Sequence, residues 1–208
     1  MRKRRIRILL SILEEIYERK GRVKIIDFGG TREYWNILPE NLWEDYNLHI
    51  TIVNLSGAIK SIQNTERIYY KEGDCCSLTD FQDQSFDLVH SNSVIEHVGM
   101  YGRRENFIRE MLRMAPYYYL QTPDFAFPLE PHFMFPFFHY LPLFFRVWLI
   151  QRMDIGQFKR ADTSEAALEK INGINLLSRN ELKKLLPNAK IIRERFLGLS
   201  KSLIAVPK

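Results

Sequence analysis

Apolar side chains at Ile8, Leu9, Ile12, Leu13, Ile16 and Tyr17 recur at the three- and four-residue spacing of one helix face, with charges between them. The pattern predicts an amphipathic helix over residues 7–20 that stops at Gly21. The period then changes. Short β-rich runs at Val23–Asp27, His49–Asn54, Arg67–Lys71, Phe86–His90 and Tyr117–Thr122 predict five strands. Between the last two, Phe107, Ile108, Met111 and Leu112 mark another helix face. Strands separated by segments of this length point to parallel βαβ units. Further on, Glu181–Leu186 reads as a helix stopped by Pro187. The runs Ala189–Arg195 and Leu199–Val206, with Gly198 near their junction, predict a hairpin that adds an antiparallel edge. There is no internal repeat and no linker, so residues 1–208 are expected to form a single α/β domain.

The chain of 208 residues is long enough for one good-sized core. Its 46% hydrophobic and 26% charged residues exclude disordered and low-complexity classes. A net charge of +5, spread along the chain with no basic-aromatic tract, argues against a nucleic-acid partner. The only cysteines, Cys75 and Cys76, are neighbours that rarely bridge without strain, so a reducing, cytoplasmic setting is expected. The basic stretch Met1 to Arg7 precedes an apolar run that is too short for a signal peptide and ends in Glu14-Glu15; no leader is expected. Phe133–Ile150 is nearly long enough to cross a bilayer. Pro136 and Pro142 would break such a helix, so the segment reads as buried or surface-lying.

In an open parallel sheet, ligands bind beyond the carboxyl ends of the strands. The polar residues there are Asp27 and Gly29 after the first strand, Asn54 after the second and Asp74 after the third. Ser91 to Ser93 follow the fourth, and Thr122 to Asp124 the fifth. Any one of them is an ordinary turn residue. As an ordered set they suit a nucleoside-like ligand: a glycine turn for close backbone approach, a polar group for ribose hydroxyls, and Asp74 for an adenine amino group.

These residues resemble the class I S-adenosylmethionine-dependent methyltransferases of the broad type 11 group. The first motif is Ile25-Ile26-Asp27-Phe28-Gly29-Gly30-Thr31 and the second Ile52-Val53-Asn54-Leu55. Glu72-Gly73-Asp74-Cys75 matches the adenine-side motif, and Ser85 to Val98, with Ser91-Asn92-Ser93 and Glu96-His97, the fourth-strand motif. Bacterial members associated with glycan or small-molecule modification share the Gly-Gly-Thr turn, a later Thr-Pro-Asp (Thr122 to Asp124) and Glu-Pro-His (Glu130 to His132). The resemblance spans roughly Val23 to Val206. It implies a Rossmann-like, doubly wound, mainly parallel sheet, and S-adenosylmethionine as cofactor with S-adenosylhomocysteine as product. The implied cofactor residues are Asp27, Phe28, Gly29, Gly30, Thr31, Asn54, Leu55, Asp74, Cys75, Ser91, Asn92 and Ser93. Two departures stand out. Thr31 and Glu33 occupy places where three alternating glycines are usual, and Asn54 replaces an acid. The same residues argue against a dinucleotide enzyme, since no full G-x-G-x-x-G is present and Pro39 shortens the following helix.

The aromatics beside the first motif, Phe28, Tyr34 and Trp35, are candidates for lining the sulfonium pocket or for core packing, Phe28 more for packing. An alcohol acceptor must lose a proton, a task that suits histidine. His49 and His90 fall within strands and read as structural. His97 follows the fourth strand, where the resemblance places it near the cofactor's methionine end. His132 follows the fifth, where the acceptor should lie; Glu130, two residues away, would face the same side of an extended segment. His132 is taken as the general base, Glu130 and His97 as its catalytic partners. No residue is assigned as a metal ligand, although Asp124 and Glu130 could hold a weak divalent cation shared with substrate.

Residues 125–160 form the largest insertion, with eight Phe between Phe125 and Trp148. A lid over an acceptor pocket and a homodimer interface rank ahead of a membrane-surface patch with Arg146, Arg152, Lys159 and Arg160 near lipid headgroups. The expected function is methyl transfer to oxygen of a small molecule such as a saccharide or glycan precursor. The alternatives are a degenerate, non-catalytic binding subunit and a peripheral-membrane methyltransferase acting on a lipid-linked sugar.

Overall fold

The computed structural model describes residues 2–58, 64–99 and 101–208. In chain order its elements are α1 (Arg2–Lys20), β1 (Val23–Phe28), α2 (Arg32–Trp35), α3 (Glu40–Asp45), β2 (Leu48–Asn54), β3 (Ile68–Glu72) and β4 (Leu88–Asn92). There follow α4 (Tyr101–Met114), β5 (Tyr117–Pro123), α5 (Leu143–Arg152), α6 (Ser164–Asn172), α7 (Arg179–Leu185), β6 (Lys190–Phe196) and β7 (Leu199–Val206). The sheet runs β3-β2-β1-β4-β5-β7-β6. Its first five strands are parallel, and β7 joins β5 and β6 antiparallel.

Burial explains which runs became central strands. β5 is buried at six of seven positions and β1 at five of six, because helices cover both faces of a parallel sheet. Successive side chains alternate between two cores. Ile26, Val89 and Leu120 pack with Phe107, Ile108 and Met111 of α4 and Leu182 of α7. Ile25, Leu88 and Tyr119 pack with Leu9, Leu13 and Ile16 of α1 and with Trp35. Leu112, expected on the buried face of α4, is 46% exposed; Met114 joins Phe107, Ile108 and Met111 on that face instead. The N-terminal helix begins at Arg2, earlier than its apolar stripe, because its first turn is tied to the sheet edge by Arg5 bonding Glu194 of β6.

Gly21 takes φ +66° and its N–H bonds the Tyr17 carbonyl, which ends α1 as expected. The β6–β7 hairpin turns at Leu197-Gly198, both at positive φ. Strand order reverses between β1 and β4, which opens a crevice at their carboxyl ends. Beyond β5 the insertion builds a small third core from Phe133, Phe138, Leu149, Ile150, Ala167 and Ile171, so it is a packed cap on the carboxyl ends of the strands. No helix among the described residues is long and apolar enough to cross a membrane.

Candidate active site

The first motif divides between surface and interior. Gly29 turns the chain at φ +73°, and a Cβ there would meet Val94 Cγ2 at 2.7 Å. A Cβ on Gly30 would fall 1.7 Å from Asp27 Oδ2, so the backbone passes directly over that carboxylate only because no side chain intervenes. Asp27 itself is wholly buried: Oδ2 accepts from Trp35 Nε1 at 2.7 Å and Oδ1 pairs with His90 Nδ1 at 2.7 Å. Its carboxylate therefore holds the turn from inside and presents no oxygen to a ligand. Trp35 is core as well, with its ring against His90, and Phe28 packs edge-on against Phe107. Both rings are fully buried.

Around the crevice, Asn54 donates from Nδ2 to the Gly30 carbonyl at 2.8 Å, which ties the end of β2 to the glycine turn. Leu55 follows it, 60% exposed, and Thr31 is exposed at the start of α2. Asp74 accepts from the Cys76 N–H at 2.9 Å and from Arg103 at 2.9 and 3.1 Å. Partial burial acts to raise its pKa, but the Cys76 N–H and Arg103 outweigh it and hold the carboxyl below the usual range. Burial pushes the Cys75 thiol far up and that of Cys76 to about 11, so both stay protonated. Ser93 takes φ +57° and donates to Gln121. Ser91 Oγ and Asn92 Oδ1 are buried without partners at the end of β4. These two orphaned oxygens, the bare glycine turn and exposed Leu55 fit a nucleoside-like cofactor laid across the crevice.

A second group lies beyond β5. Glu130 to Phe133 form a tight turn rather than the extended segment expected, closed by Met134 N–H to the Glu130 carbonyl at 2.8 Å. The turn still unites Glu130 and His132. Glu130 Oε2 accepts from the backbone N–H groups of His132 and Phe133 at 2.8 and 2.6 Å, and Oε1 meets His132 Nδ1 at 2.5 Å. From the end of β4, His97 brings its Nε2 to 3.0 Å from His132 Nε2, while its Nδ1 lies 3.1 Å from the Gly173 carbonyl. A carbonyl only accepts, so the proton of His97 sits on Nδ1; the Glu130 carboxylate likewise takes the Nδ1 proton of His132. With both rings neutral the two Nε2 atoms face one another with lone pairs, and a single proton on His132 Nε2 turns the 3.0 Å contact into a hydrogen bond. Burial acts to lower His132, but Glu130 more than reverses this and its ring titrates above the ordinary histidine range. Burial, reinforced by the charge of His132, lowers His97 despite the Gly173 hydrogen bond.

Beside His97, Glu96 is fully buried, with Oε2 accepting from Thr122 Oγ1 at 2.8 Å and Oε1 without a partner. Burial raises its pKa to about 7. The sequence places Glu96 in the fourth-strand motif and Thr122 at the end of the fifth strand, but assigns neither a role in the site. An acid directly after the apolar Val94-Ile95, next to a candidate histidine, was the available signal. A cavity of about 280 Å³ adjoins Glu130 and is lined by Arg104, His139 and Arg146. Arg104 Nε, Arg146 Nε and His139 Nδ1 are all buried without partners. Asp124 is spent on the Ala126 N–H at 3.0 Å and Glu130 on the His132 turn, so the pair expected to share a cation is otherwise engaged. A larger hollow of about 600 Å³, at Arg32, Trp43 and Arg67, holds none of the strand-end motif residues.

Residues 29–115 match the family model described as a methyltransferase domain. That segment, from the glycine turn to the end of α4, is similar to a methyltransferase domain, and the strand order places the whole sheet among Rossmann-like folds. Three solved methyltransferases superpose on most of the chain. A putative methyltransferase from an antibiotic biosynthesis pathway of Anabaena variabilis has TM-score 0.51 at 17% identity, covering 89% of this chain and 64% of that one. An O-methyltransferase family protein from Burkholderia thailandensis has TM-score 0.52 at 11% identity, covering 98% and 57%. Phosphoethanolamine N-methyltransferase 2 of Haemonchus contortus, solved with S-adenosyl-L-methionine, has TM-score 0.53 at 13% identity, covering 88% and 38%. At these identities the likeness is one of fold. Two uncharacterized proteins of Mycobacterium tuberculosis are 33% identical over 64 residues, 30% of this chain. The matched segment spans 22% of their length.

Proposed function

We propose that this methyltransferase moves a methyl group from S-adenosylmethionine to a hydroxyl of a small, oxygen-rich acceptor, a saccharide or glycan precursor, in the cytoplasm. The observation that carries the reading is the Glu130–His132–His97 array beside a cavity with two unpaired arginine donors and one unpaired histidine acceptor. The bound cofactor supplies a methyl group on a positive sulfur, open to in-line attack. Gly29, Gly30, Asn54 and Asp74 would hold the nucleoside half at the carboxyl ends of β1 to β3, and Ser91 and Asn92 would offer their free oxygens from β4. Arg104 and Arg146 would donate to acceptor oxygens and His139 Nδ1 would accept from an acceptor hydroxyl, since buried polar atoms without partners cost about 1–3 kcal/mol each until they are matched. His132 then takes the hydroxyl proton on Nε2. Two lone pairs 3.0 Å apart repel until one proton lies between them, which favours that transfer. Glu130 keeps the ring in the tautomer that leaves Nε2 free. Alignment of acceptor and methyl group supplies much of the rest, roughly 7–11 kcal/mol in favourable cases.

Calorimetric titration with S-adenosylhomocysteine, followed by an acceptor screen starting with sugars and sugar acids, tests this. Stoichiometric binding and turnover on an oxygen acceptor are expected. A folded chain that binds no S-adenosylhomocysteine would instead be a non-catalytic relative.

One observation favours a membrane-associated version of the same chemistry, on a lipid-linked sugar. Met134, Phe137, Leu143, Phe144 and Trp148 stand 46–74% exposed on one segment, and Arg152 lies over the Trp148 ring. The same face would equally serve a homodimer.

A further inference from the structure

We propose that Glu96, His97 and His132 form a binding site for a divalent transition ion of the zinc class. A carboxylate oxygen of Glu96 and one ring nitrogen from each histidine lie within 4.8 Å of one another. The two Nε2 atoms are 3.0 Å apart, a gap that two metal–nitrogen bonds of about 2.0–2.1 Å span without stretching. In the neutral rings both nitrogens carry lone pairs, because the Gly173 carbonyl and the Glu130 carboxylate accept from the two Nδ1–H groups. Those two acceptors are the kind of outer partner that orients metal-bound imidazoles and strengthens them as ligands. The third donor, Glu96, is fully buried and has one oxygen with no hydrogen-bond partner at all. A buried carboxylate oxygen and two opposed lone pairs in one place are electrostatically incomplete, and a cation completes all three.

Two histidines and one carboxylate leave a fourth position open, the pattern of zinc sites that act on a bound oxygen. That position would take water or an acceptor hydroxyl, and an oxygen held there loses its proton near neutral pH. In the loaded protein His132 holds the ion, and the ion replaces it as the group that acidifies the acceptor. This role rests on the methyltransferase reading; the binding itself does not. Sequence spacing hid the site, since 35 residues separate the histidines.

The test is competition between the purified chain and a chromogenic chelator for Zn²⁺, with Co²⁺ absorption reporting coordination. A single Zn²⁺ per chain, a tetrahedral or five-coordinate Co²⁺ spectrum and loss of both in His97→Ala and His132→Ala are expected. Glu130→Gln, which keeps all three ligands, should weaken Zn²⁺ by roughly 10–100-fold. Circular dichroism and S-adenosylhomocysteine titration on each variant separate loss of the site from loss of the fold. A folded wild type that takes up no Zn²⁺ overturns the proposal, as does wild-type Zn²⁺ affinity in the double histidine variant, which would move the ion elsewhere. Zn²⁺ binding without any S-adenosylhomocysteine binding would leave the site standing and remove the methyltransferase role.

Discussion

Glu130 grips His132 twice, through the ring Nδ1 at 2.5 Å and through the backbone N–H at 2.8 Å. The turn and the tautomer are thus set by one carboxyl group. Removing His132 should therefore separate chemistry from cofactor binding. His132→Ala is expected to lower turnover by roughly 10²–10⁴-fold while S-adenosylhomocysteine affinity stays within error. Equal loss of both, measured by initial rates and calorimetry, would show that the residue supports the fold instead.

Asp74 is the acidic residue after β3, about a third exposed and already paired with Arg103. Asp74→Ala should weaken S-adenosylhomocysteine by about 1.5–3 kcal/mol if the carboxylate accepts a ligand hydrogen bond. Unchanged affinity by calorimetry would take Asp74 out of the adenine site.

Gly156 sits at φ +56°, and a Cβ there would meet the His132 carbonyl at 2.2 Å. Its neighbour Gln157 donates to that same carbonyl at 3.1 Å. Gly156→Ala should cost more than about 1 kcal/mol in denaturant unfolding and displace His132, lowering turnover as well. A variant with full stability would show that the cap yields without strain.

Glu194 is buried in β6, where it accepts from Arg5 Nε at 2.9 Å and from Ser202 at 2.7 Å. Burial acts to raise its pKa; Arg5 and Ser202 outweigh it, so the folded value lies below the unfolded one. Its contribution to stability is then present above the unfolded pKa of about 4.3 and is lost as pH falls through the folded value. Arg5→Ala should destabilise by about 1–3 kcal/mol at neutral pH, and the gap to wild type should close in acid. A pH-independent difference in unfolding free energy would assign the loss to packing alone.

The exposed face of the cap gives a membrane prediction. Phe137, Phe144 and Trp148 are 57, 74 and 48% exposed, whereas Phe138 is buried, so only the first three can be changed without disturbing the third core. The triple serine variant should lose sedimentation with anionic liposomes, or dimerisation by ultracentrifugation, at unchanged Tm. If wild type neither sediments nor dimerises, the face serves neither purpose.

The strands, the glycine turn, the edge hairpin and the Glu130–His132 pair were legible in the sequence. They depend on local period, on backbone conformations that glycine tolerates, and on residues two apart. Leu112 shows the limit, because i, i+4 spacing defines a stripe but not which edge of it the sheet covers. Only the tertiary structure decided that Asp27 faces inward to Trp35 and His90, that Gly173 fixes the His97 tautomer, and that His97 meets His132. Those contacts arise because β4 and β5 are parallel neighbours whose carboxyl ends the cap closes over, and no periodicity along the chain encodes where two strand ends will meet.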